Sequence, residues 1–194
     1  RFQAAVSQGQ HAFADGLFYG GVEPTWSNRT LRQVLRRHGR QARHLAWIDL
    51  HTGLGETGLG ERIFASRDDA VGLERARDWW GGDGQTPVTS IHDGSSSSSM
   101  LTGLMWNVAH EECPQAQYTG IAMEYGTVPI EEVIDALRGD HWLHLHPEAP
   151  KPLRAAIKAR LLAAFYVDTA QWKATVVVQA RQALFQAVTG LSSS

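Results

Sequence analysis

Apolar positions along the chain recur with two alternating periods, and each change of period marks an element. Leu31, Val34 and Leu35 fall at i, i+3, i+4 spacing behind Ser27 or Asn28, a suitable N-cap, and predict a helix ending near Gly39. The apolar run His44-Leu45-Ala46-Trp47-Ile48-Asp49-Leu50-His51 has strand length and predicts the central strand of a sheet, broken after His51 by Gly53, Gly55, Gly58 and Gly60. Arg62-Ile63-Phe64-Ala65 predicts a short strand. Asp68 or Asp69 suits the cap of a helix that runs to about Trp80 and stops at Gly81-Gly82, and Pro87 to His92 predicts another strand. Met100, Leu101, Leu104, Met105 and Val108 form a helical apolar stripe directly after five serines, Ser95 to Ser99. By position those serines are a tight turn and helix N-terminus rather than a linker; a plain cap is the simpler role for their amides, anion binding the second.

Tyr118 to Thr127 repeats the logic of the first strand: a buried-type run delivers Glu124 and closes on Gly126. Pro129 then suits the first turn of a helix carrying Ile130, Val133, Ile134 and Leu137. Two more helices follow, one with Leu153, Ile157, Leu161 and Phe165, the other from near Asp168 with Trp172, Val176, Leu184 and Val188. Residues 1–26 predict a short helix and then an irregular, aromatic-rich segment packed on the body. No internal repeat is visible. Strands alternating with helices predict one α/β domain over residues 1–194, a mixed, partly parallel sheet sandwiched by helices.

Composition narrows the function classes. Apolar residues at 43% and charged residues at 20% are ordinary for a globular chain. A formal net charge of −2 argues against a general nucleic-acid binder. The basic cluster Arg29, Arg32, Arg36, Arg37, Arg40 and Arg43 has helical spacing and reads as a solvated face. Cys113 is the only cysteine, which precludes an internal disulfide. No run is long enough to span a membrane and no signal-peptide pattern opens the chain, so a cytoplasmic location and no membrane partner are expected.

Side chains alternate along a strand, so Asp49 and His51 share a face at the strand's exit, where ligands of α/β sheets collect. The alternative is a local hydrogen bond that merely closes the strand. The best pair is His51 with Glu124: an imidazole that binds a metal and a carboxylate that takes a proton from water are the minimum for metal-assisted hydrolysis. Zinc of this kind takes three protein ligands, and neither H-E-x-x-H, H-x-x-E nor a paired-cysteine motif is present. A competing cluster, His141, His144, His146 and Glu148, reads first as surface or interhelical packing, and His110-Glu111-Glu112, at the end of a predicted helix, is a weaker candidate. Ser95 to Ser99 with His92 and Asp93 lacks the G-x-S-x-G elbow of a serine nucleophile.

At Ile48-Asp49-Leu50-His51-Thr52-Gly53-Leu54-Gly55 and Met123-Glu124-Tyr125-Gly126-Thr127 the chain resembles the zinc-carboxypeptidase-like superfamily, in a branch described only as a domain of unknown function (DUF2817) and related to succinylglutamate desuccinylase and aspartoacylase. Leu17-Phe18-Tyr19-Gly20-Gly21, Pro24-Thr25-Trp26-Ser27-Asn28, Asp93-Gly94-Ser95-Ser96 and Gln171-Trp172-Lys173 fit it too. The resemblance implies a zinc-dependent hydrolase of amide or peptide bonds, with His51 as a zinc ligand, Glu124 as general base, and Gly53 and Tyr125 flanking a small peptide or N-acyl amino acid. Asp49 is a candidate to orient the site from behind. The remaining ligands, from an H-x-x-E motif, and an Asn-Arg pair for the substrate carboxylate are not in this sequence. With Arg1 in place of an initiating methionine, the chain is expected to be the C-terminal portion of such a domain, its partner the N-terminal half and one zinc ion shared between them. The alternative is a catalytically inert binding or structural module on the same fold.

Overall fold

Residues 8–82 and 86–193 are described by the structure, a computed structural model. Among the described residues six helices cover a four-stranded mixed sheet. In chain order these are α1 (Trp26–His38), β1 (His44–Thr57), β2 (Gly60–Phe64), α2 (Ala70–Trp80), β3 (Val88–Ser90), a 3-10 turn at Met105–Asn107, α3 (Val108–Glu112), β4 (Gln117–Gly126), α4 (Ile130–Leu145), α5 (Lys151–Phe165) and α6 (Ala170–Ser192). The strand order is β1-β4-β2-β3. β4 runs parallel to β1 and antiparallel to β2, and β2 is parallel to β3.

The expected α/β class is therefore observed, with one correction of place. β1 is an edge strand, and β4 is the central one. The burial pattern explains the difference: β4 is buried from Tyr118 to Met123, whereas β1 is mostly part-buried and Leu50 is 52% exposed. An apolar run announces a strand without saying how many neighbours it has.

The helices follow local chemistry. Thr25, rather than Ser27 or Asn28, caps α1 by accepting the Asn28 amide, and Gly39 ends it. Asp69 caps α2 through the Val71 amide. Thr169 caps α6 through the Trp172 amide. No helix forms between Gln8 and Thr25, and the short helix expected near the start falls on residues 1–7, outside the described residues. Nor does one start at Met100. Gly103, at φ +71, interrupts the apolar stripe, and helical geometry begins only at Met105. Among the described residues no helix is long and apolar enough to cross a membrane.

Alternation along the strands divides the core between the two faces of the sheet. On the near face, Tyr118, Ala122 and Ile63 pack with Leu35 of α1 and Trp106, Val108 and Ala109 around α3. On the far face, Ile121, Met123, Tyr125 and Phe64 pack with Ala76 and Trp80 of α2 and Trp172, Ala183 and Ala187 of α6. Two of the arginines expected to be solvated pin the near-face helices instead. Arg36 donates to both oxygens of Glu112, at 2.6 and 2.7 Å, and Arg32 reaches it at 2.9 Å. Those guanidinium bonds hold the Glu112 carboxyl down at about 2.

The glycines after His51 do not leave the sheet. The ladder between β1 and β4 slips between Thr52 and Thr57, so residues 53–56 form a wide bulge before Thr57 meets Gly126. The chain then crosses the end of β4 to start β2. Gly53 at φ +125 and Gly55 at φ +93 supply the backbone conformations this needs. Gly126 lies beneath the crossing, where a Cβ would come within 2.2 Å of the Gly55 carbonyl oxygen.

Candidate functional site

Register places the site. His51 on β1 and Glu124 on β4 are direct partners in the parallel ladder, and Glu124 is the direct partner of Glu61 in the antiparallel ladder with β2. Three ionisable side chains thus stand abreast on the near face, where the apolar rungs beneath them end. Asp49 is one rung below His51 on the same face.

Each member is held differently. Asp49 Oδ2 lies 3.0 Å from His51 Nε2, and the pair is too poorly aligned to count as a full hydrogen bond. The contact places Asp49 on the Nε2 side of the ring, opposite Nδ1. The His51 ring meets Trp106 edge-on at 6.0 Å. Glu124 is part-buried, and its Oε1 accepts the Leu54 amide at 3.1 Å. The glycine bulge therefore serves the carboxylate: Gly53 and Gly55 turn the backbone so that the amide between them points at Glu124. Burial pushes the Glu124 carboxyl up to about 7; Glu61 pushes the same way, while His51 and the Leu54 amide pull it back.

Glu61 is the member that the sequence did not announce. Thr89 Oγ1 donates to it at 2.6 Å, the Ser97 amide at 3.1 Å, and the Ser97 hydroxyl also donates to it. The serine run is thus an irregular loop anchored on the chain's own carboxylate, in place of the expected helix N-terminus. The missed signal was a charged residue inside a short strand, in step with Ile63 on the same face.

Two cavities meet at Glu124. One, of about 360 Å³, is lined by Thr52, Gly53, Leu54 and Phe18, by the apolar face of α4, and by Phe165. The other, of about 260 Å³, holds Asp49 and His51 and is walled by Leu101, Leu104, Met105 and Trp106. Glu124 lines both. A larger open groove of about 890 Å³ runs between α2 and α6 on the far face, but no imidazole lines it, so size alone does not locate the chemistry.

Among the predicted residues, Asp49, His51 and Glu124 are brought together and Gly53 lines the adjoining cavity. Tyr125 is not. Strand alternation turns it to the far face, fully buried, with its hydroxyl donating to Val176 O at 3.4 Å and its pKa pushed up to about 12 by burial. His141 faces the Asp15 carbonyl oxygen at 2.7 Å, His144 lies 3.4 Å from Asp140, and His146 stacks on Trp142. They form no common centre. His92 turns to the Ser66 carbonyl oxygen and not to a serine hydroxyl, so Asp93 and Ser95 build no relay with it. His110, its pKa lowered by burial, contacts the Ser66 hydroxyl at 2.8 Å.

A zinc site needs three protein ligands around an open position. Among the described residues no three histidine, cysteine, aspartate or glutamate side chains converge as a metal-binding group. His51, with Asp49 behind it, fits one ligand position of such a site, and the other positions need donors from elsewhere.

Fold and site together define an α/β protein with an imidazole and paired carboxylates at the ends of adjacent strands, flanked by apolar cavities. The chain belongs to the family described as protein of unknown function (DUF2817), which matches residues 1–179. No curated protein and no solved structure matches it.

Proposed function

We propose that the chain contributes the general base and one metal ligand to a zinc-dependent hydrolase of amide bonds, of carboxypeptidase or amidoacylase type. The observation that carries this reading is the register pair His51–Glu124, in which a part-buried carboxyl titrating near 7 stands beside an imidazole backed by an aspartate. A base is most useful when its pKa is near the working pH. Glu124 takes a proton from water as the water oxygen adds to the amide carbonyl carbon. When the C–N bond breaks, the same carboxyl hands the proton to the departing nitrogen, leaving a carboxylic acid and an amine. His51 holds its place in the site through Asp49. Zinc, when bound, lowers the pKa of water and polarises the carbonyl.

The remaining ligands, and an Asn-Arg pair for substrate, belong on this reading to a preceding N-terminal half. The free edge of β1 supports such a partner, because a long edge strand with an exposed apolar side chain, here Leu50, is normally covered. The superfamily resemblance at residues 48–55 and 123–127 supports it too. The reading is tested by expressing the chain with the upstream reading frame, then measuring zinc by mass spectrometry and amine release from a panel of N-acyl amino acids. One zinc per chain is expected, lost in His51→Ala. Glu124→Gln should lower turnover by a factor on the order of 10² to 10⁴. Full activity in both variants overturns it.

The second reading, an inert binding or structural module, is favoured by the incomplete donor set among the described residues. A longer protein that carries no zinc and hydrolyses none of the panel would select it.

A further inference from the structure

We infer that the substrate carries an apolar group on each side of the scissile amide, the larger one lying against α4, and that acidic acyl groups are rejected. This rests on the hydrolase reading for the position of the bond and on the two cavities for the chemistry. Among the described residues Glu124 alone is common to both, so a group reacting at its carboxyl has one cavity on either hand.

The cavity beside α4 is walled by Phe18, Leu54, Ile130, Val133, Leu137 and Phe165. Its volume, about 360 Å³, is within the range of small-molecule sites. The cavity beside Trp106, about 260 Å³, is walled by Ile63, Leu101, Leu104 and Met105. Among the described residues no lysine or arginine lines either one. A substrate carboxylate placed in the α4 cavity would exchange water for a mostly apolar wall and face Glu124 itself, with Glu61 one strand further on. An alkyl or aromatic group gains there by leaving water. The pocket therefore selects by penalty as well as by contact. Gly53 sets one wall: a Cβ there would come within 2.8 Å of the Phe165 ring, so any larger residue intrudes into the same space.

Two probes differing only in the acyl group test the inference, N-hexanoyl-phenylalanine amide and N-succinyl-phenylalanine amide. Binding to the full chain is measured by saturation-transfer NMR at pH 8, with free amine assayed in the same samples. The hexanoyl probe should bind at least ~10-fold more tightly than the succinyl probe. Leu137→Trp, which fills the part-buried wall of the α4 cavity, should abolish that advantage, and Leu137→Ala, which only widens it, should keep it. Equal or tighter binding of the succinyl probe overturns the inference, as does failure of the hexanoyl probe to bind the wild-type chain or an advantage that survives Leu137→Trp. The amine assay separates the two claims. Hexanoyl preference without amine release in the longer zinc-loaded protein counts against hydrolysis alone, whereas amine release that favours the succinyl probe counts against the cavity assignment alone.

Discussion

The two faces of the sheet are built from the same strands and end differently. On the far face, Met123 and Tyr125 of β4 are fully buried against α2 and α6, and apolar packing continues to the last rung. On the near face, the apolar rung of Ala122 and Ile63 is followed by His51, Glu124 and Glu61, side by side. Met123 and Tyr125 flank Glu124 in sequence, yet alternation separates scaffold from chemistry by a single residue step. The far face holds the strand ends rigid, and the near face can then keep a carboxyl part-desolvated without losing its position.

The comparison breaks most visibly through matched substitutions. Glu124→Gln should leave the fold intact and cost activity by the factor of hundreds or more stated above. Met123→Ala, one residue away, should do the reverse. Removing a fully buried methionine from the far-face core costs about 2–5 kcal/mol, measurable as a lower midpoint in urea. Its effect on turnover at saturating substrate should remain small while the protein is folded. A large activity loss for Met123→Ala below its unfolding midpoint would show that the two faces are not separable in this way.

The elements were legible because their signals are local. A run of apolar residues closed by glycine gives β1 and β4, the i, i+3, i+4 spacing gives α1 and α4, and the Asp69 cap gives α2. What depended on neighbours was not legible. The run from His44 reads alike for an edge and a central strand, and only pairing with β4 on one side shows β1 to be the edge. The stripe from Met100 has helical spacing, but Gly103 adopts a positive φ and the apolar side chains wall a cavity instead. Glu61 was missed because nothing local distinguishes a charged strand residue that ends exposed from one bonded by Thr89 and Ser97. Tyr125 was within reach of period-two alternation, which cannot place it on the same face as Glu124. His51 and Glu124 were recognisable as a pair, while their adjacency came only from the register.

The pH dependence of stability sharpens the contrast at a smaller scale. An unfolded glutamate ionises near 4.5, whereas the native Glu124 keeps its proton to about 7. Between those values the native state binds the extra proton, so Glu124 opposes stability increasingly as pH rises, with the full penalty present above 7. Allowing for its partial exposure, that penalty is on the order of 2 kcal/mol. Glu124→Gln should therefore gain roughly that much over wild type at pH 8 compared with pH 4, by urea denaturation at both values. Equal differences at the two pH values would mean that burial does not raise this carboxyl. No comparable gain is expected from Met123, which carries no charge.

The smallest effect isolates the neighbour charge. Glu61 is the ladder partner of Glu124 and raises its pKa less than burial does. Glu61→Gln keeps the shape of the side chain and removes that charge, so the Glu124 carboxyl should titrate lower. The matched far-face change is Tyr125→Phe, which loses only a long bond to Val176 O at 3.4 Å and should leave the Glu124 titration where it was. Carbon-13 NMR of the Glu124 carboxyl across pH 5–9 reads both without any need for turnover. A downward shift in Glu61→Gln alone supports a row of coupled groups confined to one face. An equal shift in Tyr125→Phe would mean that strand packing, rather than the adjacent charge, sets the proton affinity of Glu124.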